Sequence, residues 1–174
     1  ADTKPASALV AIRPSTGAIV AAANGKGNRG QSLATLGRAA PGSTFKIVSA
    51  LALLRADLTP RSMVRCSPTV TVDGRKFSNY SDYPRSQQGT ITLRTALAQS
   101  CNTAFIGQRG KLDQPSLAEA AGSLGFGMDY DVGFPSFFGS VPNDPTATGR
   151  AAAMIGQGKV EASPMAMATV VASV

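Results

Sequence analysis

Near the start of the chain the apolar residues come in two short bursts, residues 9–13 and 18–23, divided by Pro14-Ser15-Thr16-Gly17. Short runs containing β-branched residues around a Pro/Gly turn predict strand, turn, strand. Residues 25–41, rich in Gly, Asn and Arg, predict a loop. The pattern then changes over residues 44–56, where Phe45, Ile47, Val48, Leu51, Leu53 and Leu54 leave almost no polar face. A helix that is apolar nearly all round is a buried one. Residues 57–89 read as irregular, except that Asp73-Gly74 between two short β-rich runs (69–72 and 75–77) predicts a tight hairpin. Residues 92–99 predict a helix, and a second begins near Asn102. Asp113 is the expected N-cap of a further helix, with Pro115 in its first turn and Leu117, Ala120, Ala121 and Leu124 on its apolar face. Gly125 and Gly127 should end it. Residues 128–145, carrying Pro135, Pro142 and Pro145, predict a long loop, and 148–155 a helix. Ser163-Pro164 supplies an N-cap and a proline at the first helical position of a last apolar helix running to Val174.

This order is lopsided: two good strands come first and helices dominate afterwards. A lone two-stranded hairpin is not a stable sheet, so further strands are expected after Val174 or the unit is incomplete. With 174 residues, one domain is the expectation. A hydrophobic content of 43% with 16% charged residues is globular, and sparse aromatics with abundant alanine suit closely packed helices. There is no internal repeat, no apolar run of transmembrane length and no signal peptide. The chain opens on Ala1, so a processed or excised polypeptide is expected, with any anchor lying upstream.

The formal charge of +7 favours anionic partners such as carboxylate-bearing polymers. Its lysines and arginines are scattered, with no basic run or aromatic-interleaved patch, so no nucleic-acid partner is expected. Cys66 and Cys101 are too few for a disulfide framework and do not resemble a metal set. The sequence leaves a bridge between them open, with unpaired cysteines the favoured reading. Cys101 reads as a small, partly buried residue and not as a nucleophile. Neither a metal nor a cofactor is expected.

Candidate chemistry begins at Pro41-Gly42-Ser43-Thr44-Phe45-Lys46, where a helix starts. Residues i and i+3 of a helix share a face, so Ser43 and Lys46 can point into one pocket. The chain has no histidine, which excludes a Ser-His-Asp triad. Ser-x-x-Lys is a weak signal alone, equally readable as a solvated helix start. Its context strengthens it: Lys46 falls in an apolar helix, where burial disfavours the charged amine and moves its pKa toward that of a general base. The Pro-Gly lead-in also lets the Ser43 backbone N–H turn toward an oxyanion at the helix N-terminus.

Ser100-Cys101-Asn102, the one Ser-x-Asn in the chain, lies between two predicted helices. Alone it reads as a helix cap. Together with the Ser-x-x-Lys it matches the first two motifs of the serine penicillin-recognising enzymes. The chain resembles the transpeptidase domain of class B penicillin-binding proteins, in order and over residues 7–174. The wording of residues 41–46, of Gly89-Thr90-Ile91-Thr92-Leu93-Arg94 leading into 100–105, and of Gly156-Gln157-Gly158 before Ala162-Ser163-Pro164-Met165 carries that resemblance. It implies an α/β, β-lactamase/transpeptidase-like fold: an antiparallel sheet flanked by helices, a mostly helical subregion, and a sheet incomplete within this chain.

The resemblance also implies roles. Ser43 attacks the penultimate D-alanine carbonyl of a peptidoglycan stem peptide, and Lys46 accepts its proton. Ser100 relays a proton toward the departing nitrogen, and Asn102 orients the donor peptide. An acceptor amine then resolves the acyl-enzyme into a cross-link, and β-lactams imitate the donor. Catalytic assignments are Ser43, Lys46, Ser100 and Asn102, with Ser43, Ser100 and Asn102 also contacting substrate. Gly156-Gln157-Gly158 is expected to shape a turn near the site.

The family's third motif, Lys-Thr-Gly or Lys-Ser-Gly, has no match in the sequence. Residues 1–174 are therefore expected to form the N-terminal part of one domain, inactive without a C-terminal remainder that is either cleaved off or a second chain. The implied location is the outer face of the bacterial cell membrane. Two alternatives stay open. One is a β-lactamase or D,D-carboxypeptidase, for which Glu119 and Glu161, the only glutamates, are poorly placed as a deacylating base. The other is a non-catalytic β-lactam sensor or scaffold.

Overall fold

The predicted opening hairpin forms as β1 (Ala8–Arg13) and β2 (Ala18–Asn24), paired antiparallel with a register shift between Ala11 and Ile12. The structure, a computed structural model, describes residues 5–113 and 115–174. After a short helix, α1 (Leu33–Leu36), a 3₁₀ turn over Gly42–Phe45 runs directly into α2 (Lys46–Arg55). The predicted helix thus starts as a tighter spiral. α2 explains its own composition. Ala50 and Leu53 face one apolar cluster, with Phe105, Ile106, Met154 and Ile155. Phe45, Val48 and Ala52 face a second, with Leu117, Phe126, Ala166 and Val170. A helix forming the wall between two cores buries most of its faces; the side carrying Ile47, Leu51 and Leu54 is partly open, with Leu54 41% exposed. Its one buried hydroxyl is satisfied, because Ser49 Oγ donates to the Met154 carbonyl at 2.9 Å.

The stretch read as irregular contains more order than its pattern showed. β3 (Met63–Cys66) pairs antiparallel with β6 (Gly89–Thr92), and β4 (Thr69–Val72) with β5 (Arg75–Ser78). The second pair is the expected hairpin: Asp73 and Gly74 both have positive φ, 46° and 79°, as a two-residue turn of this hand requires. β3 and β6 are four-residue strands joined across more than twenty residues, too short for a periodicity to declare itself. Among the described residues the sheet is incomplete, with three separate two-stranded pieces.

β6 ends where α3 (Leu93–Ala98) begins, and Thr92 serves both: its side chain caps the helix by accepting from the Thr95 N–H. α4 (Asn102–Gly107) follows at once. Two expectations need correction here. Cys66 and Cys101 are joined in a disulfide, both fully buried. Packing of α4 on β3 brings their Cα atoms to 6.1 Å, a proximity that a separation of 35 residues cannot announce. Asp113, in turn, does not cap α5 (Ser116–Ser123); Pro115 occupies that position, and the Asp113 carboxylate accepts from the Ser116 hydroxyl instead. Leu124 lies just past the helix end, buried, before Gly125 turns the chain at φ 76°.

α6 (Ala147–Ala153) and α7 (Pro164–Ala172) complete the described elements. α7 packs on β1, and its cap is as read from Ser163-Pro164. Ser163 Oγ accepts from the Ala166 N–H at 3.0 Å and donates to the Phe137 carbonyl, tying the long loop to the helix. With Ser163 only 1% exposed, Ser163→Ala leaves both partners short of a bond. Thermal or urea unfolding of the full-length protein should show a loss of about 2 kcal/mol. A loss below about 0.5 kcal/mol would show that the cap contributes nothing.

Candidate active site

Ser43 reaches its position through the 3₁₀ turn. Three residues per turn eclipse i and i+3, which sets the Ser43 hydroxyl over the first residue of α2, Lys46. The Nζ–Oγ distance is 3.0 Å. The turn is anchored at its start, where the Gly42 N–H donates to the Gly156 carbonyl at 2.8 Å, and Thr44 Oγ1 donates to Pro41 O at 2.7 Å. Gly156 therefore shapes the turn under Ser43. Ser43 itself is exposed, whereas Lys46 behind it is buried, 1% exposed.

Ser100 and Asn102 arrive from the junction of α3 and α4. The junction is sharp: Ser100 sits in the left-handed region at φ 54°, so the chain reverses within one residue. Lys46 Nζ lies 2.8 Å from the Ser100 carbonyl, 2.9 Å from Ser100 Oγ and 2.5 Å from Asn102 Oδ1. The Asn102 amide is oriented by its other end, because Nδ2 donates to the Ser78 carbonyl at 2.9 Å. All four residues singled out in the sequence are thus brought together around one amine.

The protons can be placed by inventory. The Ser100 carbonyl and Asn102 Oδ1 can only accept, so they take two N–H bonds from Lys46. A neutral amine then has one lone pair left, which can accept from one of the two nearby hydroxyls at a time, Ser43 or Ser100. Burial lowers the Lys46 pKa from 10.5 to about 8. No carboxylate counters this: the ion pairs among the described residues, Arg38–Glu161 and Lys159–Asp144, leave Lys46 out. A serine O–H beside a desolvated amine can be deprotonated as it attacks an electrophile. The second hydroxyl on the same amine can pass that proton on. The arrangement suits acyl transfer through a serine ester.

Sequence reasoning missed the supports of Asn102. Ser78 contributes a backbone carbonyl, which no side-chain pattern reveals, and Asn79 lies in the stretch read as irregular.

A family model described as penicillin binding protein transpeptidase domain matches residues 7–174. Among curated proteins, the chain is 33% identical over 144 residues to the peptidoglycan D,D-transpeptidase PbpA of Mycobacterium tuberculosis. That match covers 77% of this chain but 28% of the relative's length. Among solved structures, penicillin-binding protein A from M. tuberculosis as an imipenem acyl-enzyme complex superposes with a TM-score of 0.85 at 25% identity. It covers 95% of this chain and 45% of that one. The D,D-transpeptidase domain of a peptidoglycan glycosyltransferase from Eggerthella lenta, at 23% identity and a TM-score of 0.84, has the same fold over 99% of this chain and 49% of its own.

Proposed function

The chain belongs to the penicillin-binding protein transpeptidase family, and from that premise we propose that it carries the acylation machinery of a peptidoglycan D,D-transpeptidase. The observation that carries this reading is the single buried amine bonded at once to Ser43, Ser100 and Asn102. Ser43 Oγ attacks the carbonyl carbon of the penultimate D-alanine as its proton moves to Lys46 Nζ. Collapse of the tetrahedral adduct breaks the peptide bond, and the departing D-alanine nitrogen takes a proton relayed from Lys46 through Ser100 Oγ. Asn102 holds the donor peptide by its amide. An acceptor amine from a second stem peptide then attacks the ester, forming the cross-link and returning the proton to Ser43. A β-lactam follows the first half of this course and stays attached, as imipenem does in the acyl-enzyme complex of the M. tuberculosis protein.

Residues 1–174 supply the N-terminal part of the domain in this reading. The strand bearing Lys-(Thr/Ser)-Gly, the second oxyanion donor and the carboxylate-binding group come from a C-terminal remainder, without which this part is inactive. The substrates lie outside the cytoplasmic membrane, and the formal net charge of +7 suits a carboxylate-bearing wall polymer.

The test is to incubate the full-length protein with benzylpenicillin and follow its intact mass, then map the adduct by peptide digestion. One adduct is expected, on Ser43, persisting for hours, together with cross-linked product from a stem-peptide substrate. No adduct, or an adduct elsewhere, would overturn the acyl-enzyme reading. Rapid loss of the adduct would make the protein a hydrolase, and a lasting adduct without cross-linking would make it a sensor. Against the hydrolase stands the Glu161 carboxylate, which is engaged by Arg38 at 3.2 Å.

A further inference from the structure

The strained junction at Ser100 is held by contacts that the chemistry above does not use. A non-glycine residue at φ 54° persists where its surroundings over-determine it. Here they come from one neighbouring segment. Cys101, between Ser100 and Asn102, is bonded to Cys66 at the end of β3. Thr103 Oγ1 donates to the Ser67 carbonyl at 2.7 Å, and Asn102 Nδ2 to the Ser78 carbonyl at 2.9 Å. Asn79 closes the set: its Nδ2 donates to the Ser67 carbonyl at 3.0 Å, and its Oδ1 accepts from the Thr103 N–H at 3.2 Å.

That last bond has a particular meaning for α4. Cys101 stands at the N-cap of this helix and provides no side-chain cap, its sulfur being committed to the disulfide. The first-turn N–H of Thr103 would otherwise be one of the orphan donors of a helix start. Asn79 caps it from another segment of the chain, in place of the N-cap residue. The helix start that carries Asn102 is therefore located by residues 66–79 and not by its own sequence.

We propose that Asn79 and the Cys66–Cys101 bridge are positioning elements for acylation, holding Ser100 and Asn102 against Lys46. The inference rests on the acyl-enzyme reading of Ser43. Neither Asn79 nor the bridge touches the reacting atoms; both act through the Ser100–Asn102 segment. Release of that segment lengthens the contacts to Lys46 Nζ, and misplacement on the scale of 1 Å costs up to about a hundredfold in rate.

The experiment measures benzylpenicillin acylation of the full-length protein under rapid mixing, separating the initial binding constant from the limiting acylation rate. The labelled fraction at the end point is recorded as well. Asn79→Ala and the double variant Cys66→Ser/Cys101→Ser are expected to lower the limiting rate about tenfold. The binding constant should change less than about twofold, and the labelled fraction should stay complete. Asn79→Asp retains the acceptor for the Thr103 N–H but sets an oxygen against the Ser67 carbonyl in place of Nδ2, so it should recover in part, to a rate between those of Asn79→Ala and wild type. A purely structural role would instead reduce the labelled fraction and leave the rate of the remainder unchanged, which overturns the proposal. If the double variant does not fold, the two Asn79 variants decide. Labelled wild type with unchanged rates in the variants sinks this inference alone. Absence of label on wild-type Ser43 sinks the acyl-enzyme reading and this inference with it.

Discussion

Lys46→Ala is expected to slow acylation of Ser43 by a β-lactam about a thousandfold, whereas Ser43→Ala abolishes it. General-base assistance is worth about 10²–10⁴-fold, and Lys46 has no understudy. The sequence contains no histidine, and no carboxylate shares the cluster among the described residues. The same amine should make acylation pH-dependent. With its pKa lowered to about 8 by desolvation, the second-order acylation rate should rise with pH, inflect near that value and level off above it. The dependence should vanish in Lys46→Ala. A flat profile in the wild type between about pH 6.5 and 9.5 would remove Lys46 from the role of base. Stability responds with a definite sign. The ordinary amine value of 10.5 exceeds the folded value of about 8, so the unfolded chain binds more protons in that interval. The contribution of Lys46 to stability thus rises with pH from about 8 to about 10.5, and its full penalty is present below the folded value.

Gly156→Ala should be the most disruptive small substitution near the site. Gly156 has φ 63°, and a Cβ there would run into the Gly42 carbonyl oxygen and stand 2.6 Å from Phe45 Cβ. Left-handed geometry costs a non-glycine residue about 1–2 kcal/mol, and forced overpacking adds about 1–3. A loss of about 3 kcal/mol is expected in urea unfolding of the full-length protein. The obstructing atoms belong to the turn that carries Ser43, so acylation of the folded fraction should fall as well. Gly74→Ala provides the contrast: its φ is 79° but nothing lies within 4 Å of the added carbon, so only the backbone term of about 1–2 kcal/mol remains. Equal losses at the two positions would refute the steric account.

Local signals carried much of the fold. The β1–β2 hairpin, the Asp73-Gly74 turn and the Ser163 cap each follow from a few adjacent residues, and each stands as read; the apolar α2 is buried on most of its faces but leaves Leu54 exposed. The four candidate residues could be singled out because their two motifs are compact in sequence, and the structure brings them together although the motifs lie more than fifty residues apart. What was hidden depends on distant packing. β3 and β6 are four residues each and find one another through tertiary contacts. The Cys66–Cys101 bridge needs α4 seated on β3 before its sulfurs can meet. Asn79 resembles any loop asparagine until the helix start it caps is in place. Asp113 shows the reverse error: a good capping residue close to the helix start but out of use, displaced by Pro115.

The position of α2 as a wall common to two apolar clusters has a consequence for how drug tolerance would arise. Lys46 stands at the head of that wall, with Leu53 on one side of it and Val48 and Phe45 on the other. A change of side-chain volume in either cluster is expected to shift the helix and so move the amine relative to Ser100 and Asn102, which a separate segment carries. On the proposed acyl-enzyme chemistry, selection for slower acylation by β-lactams should therefore recover substitutions in both interiors, at positions outside the candidate site.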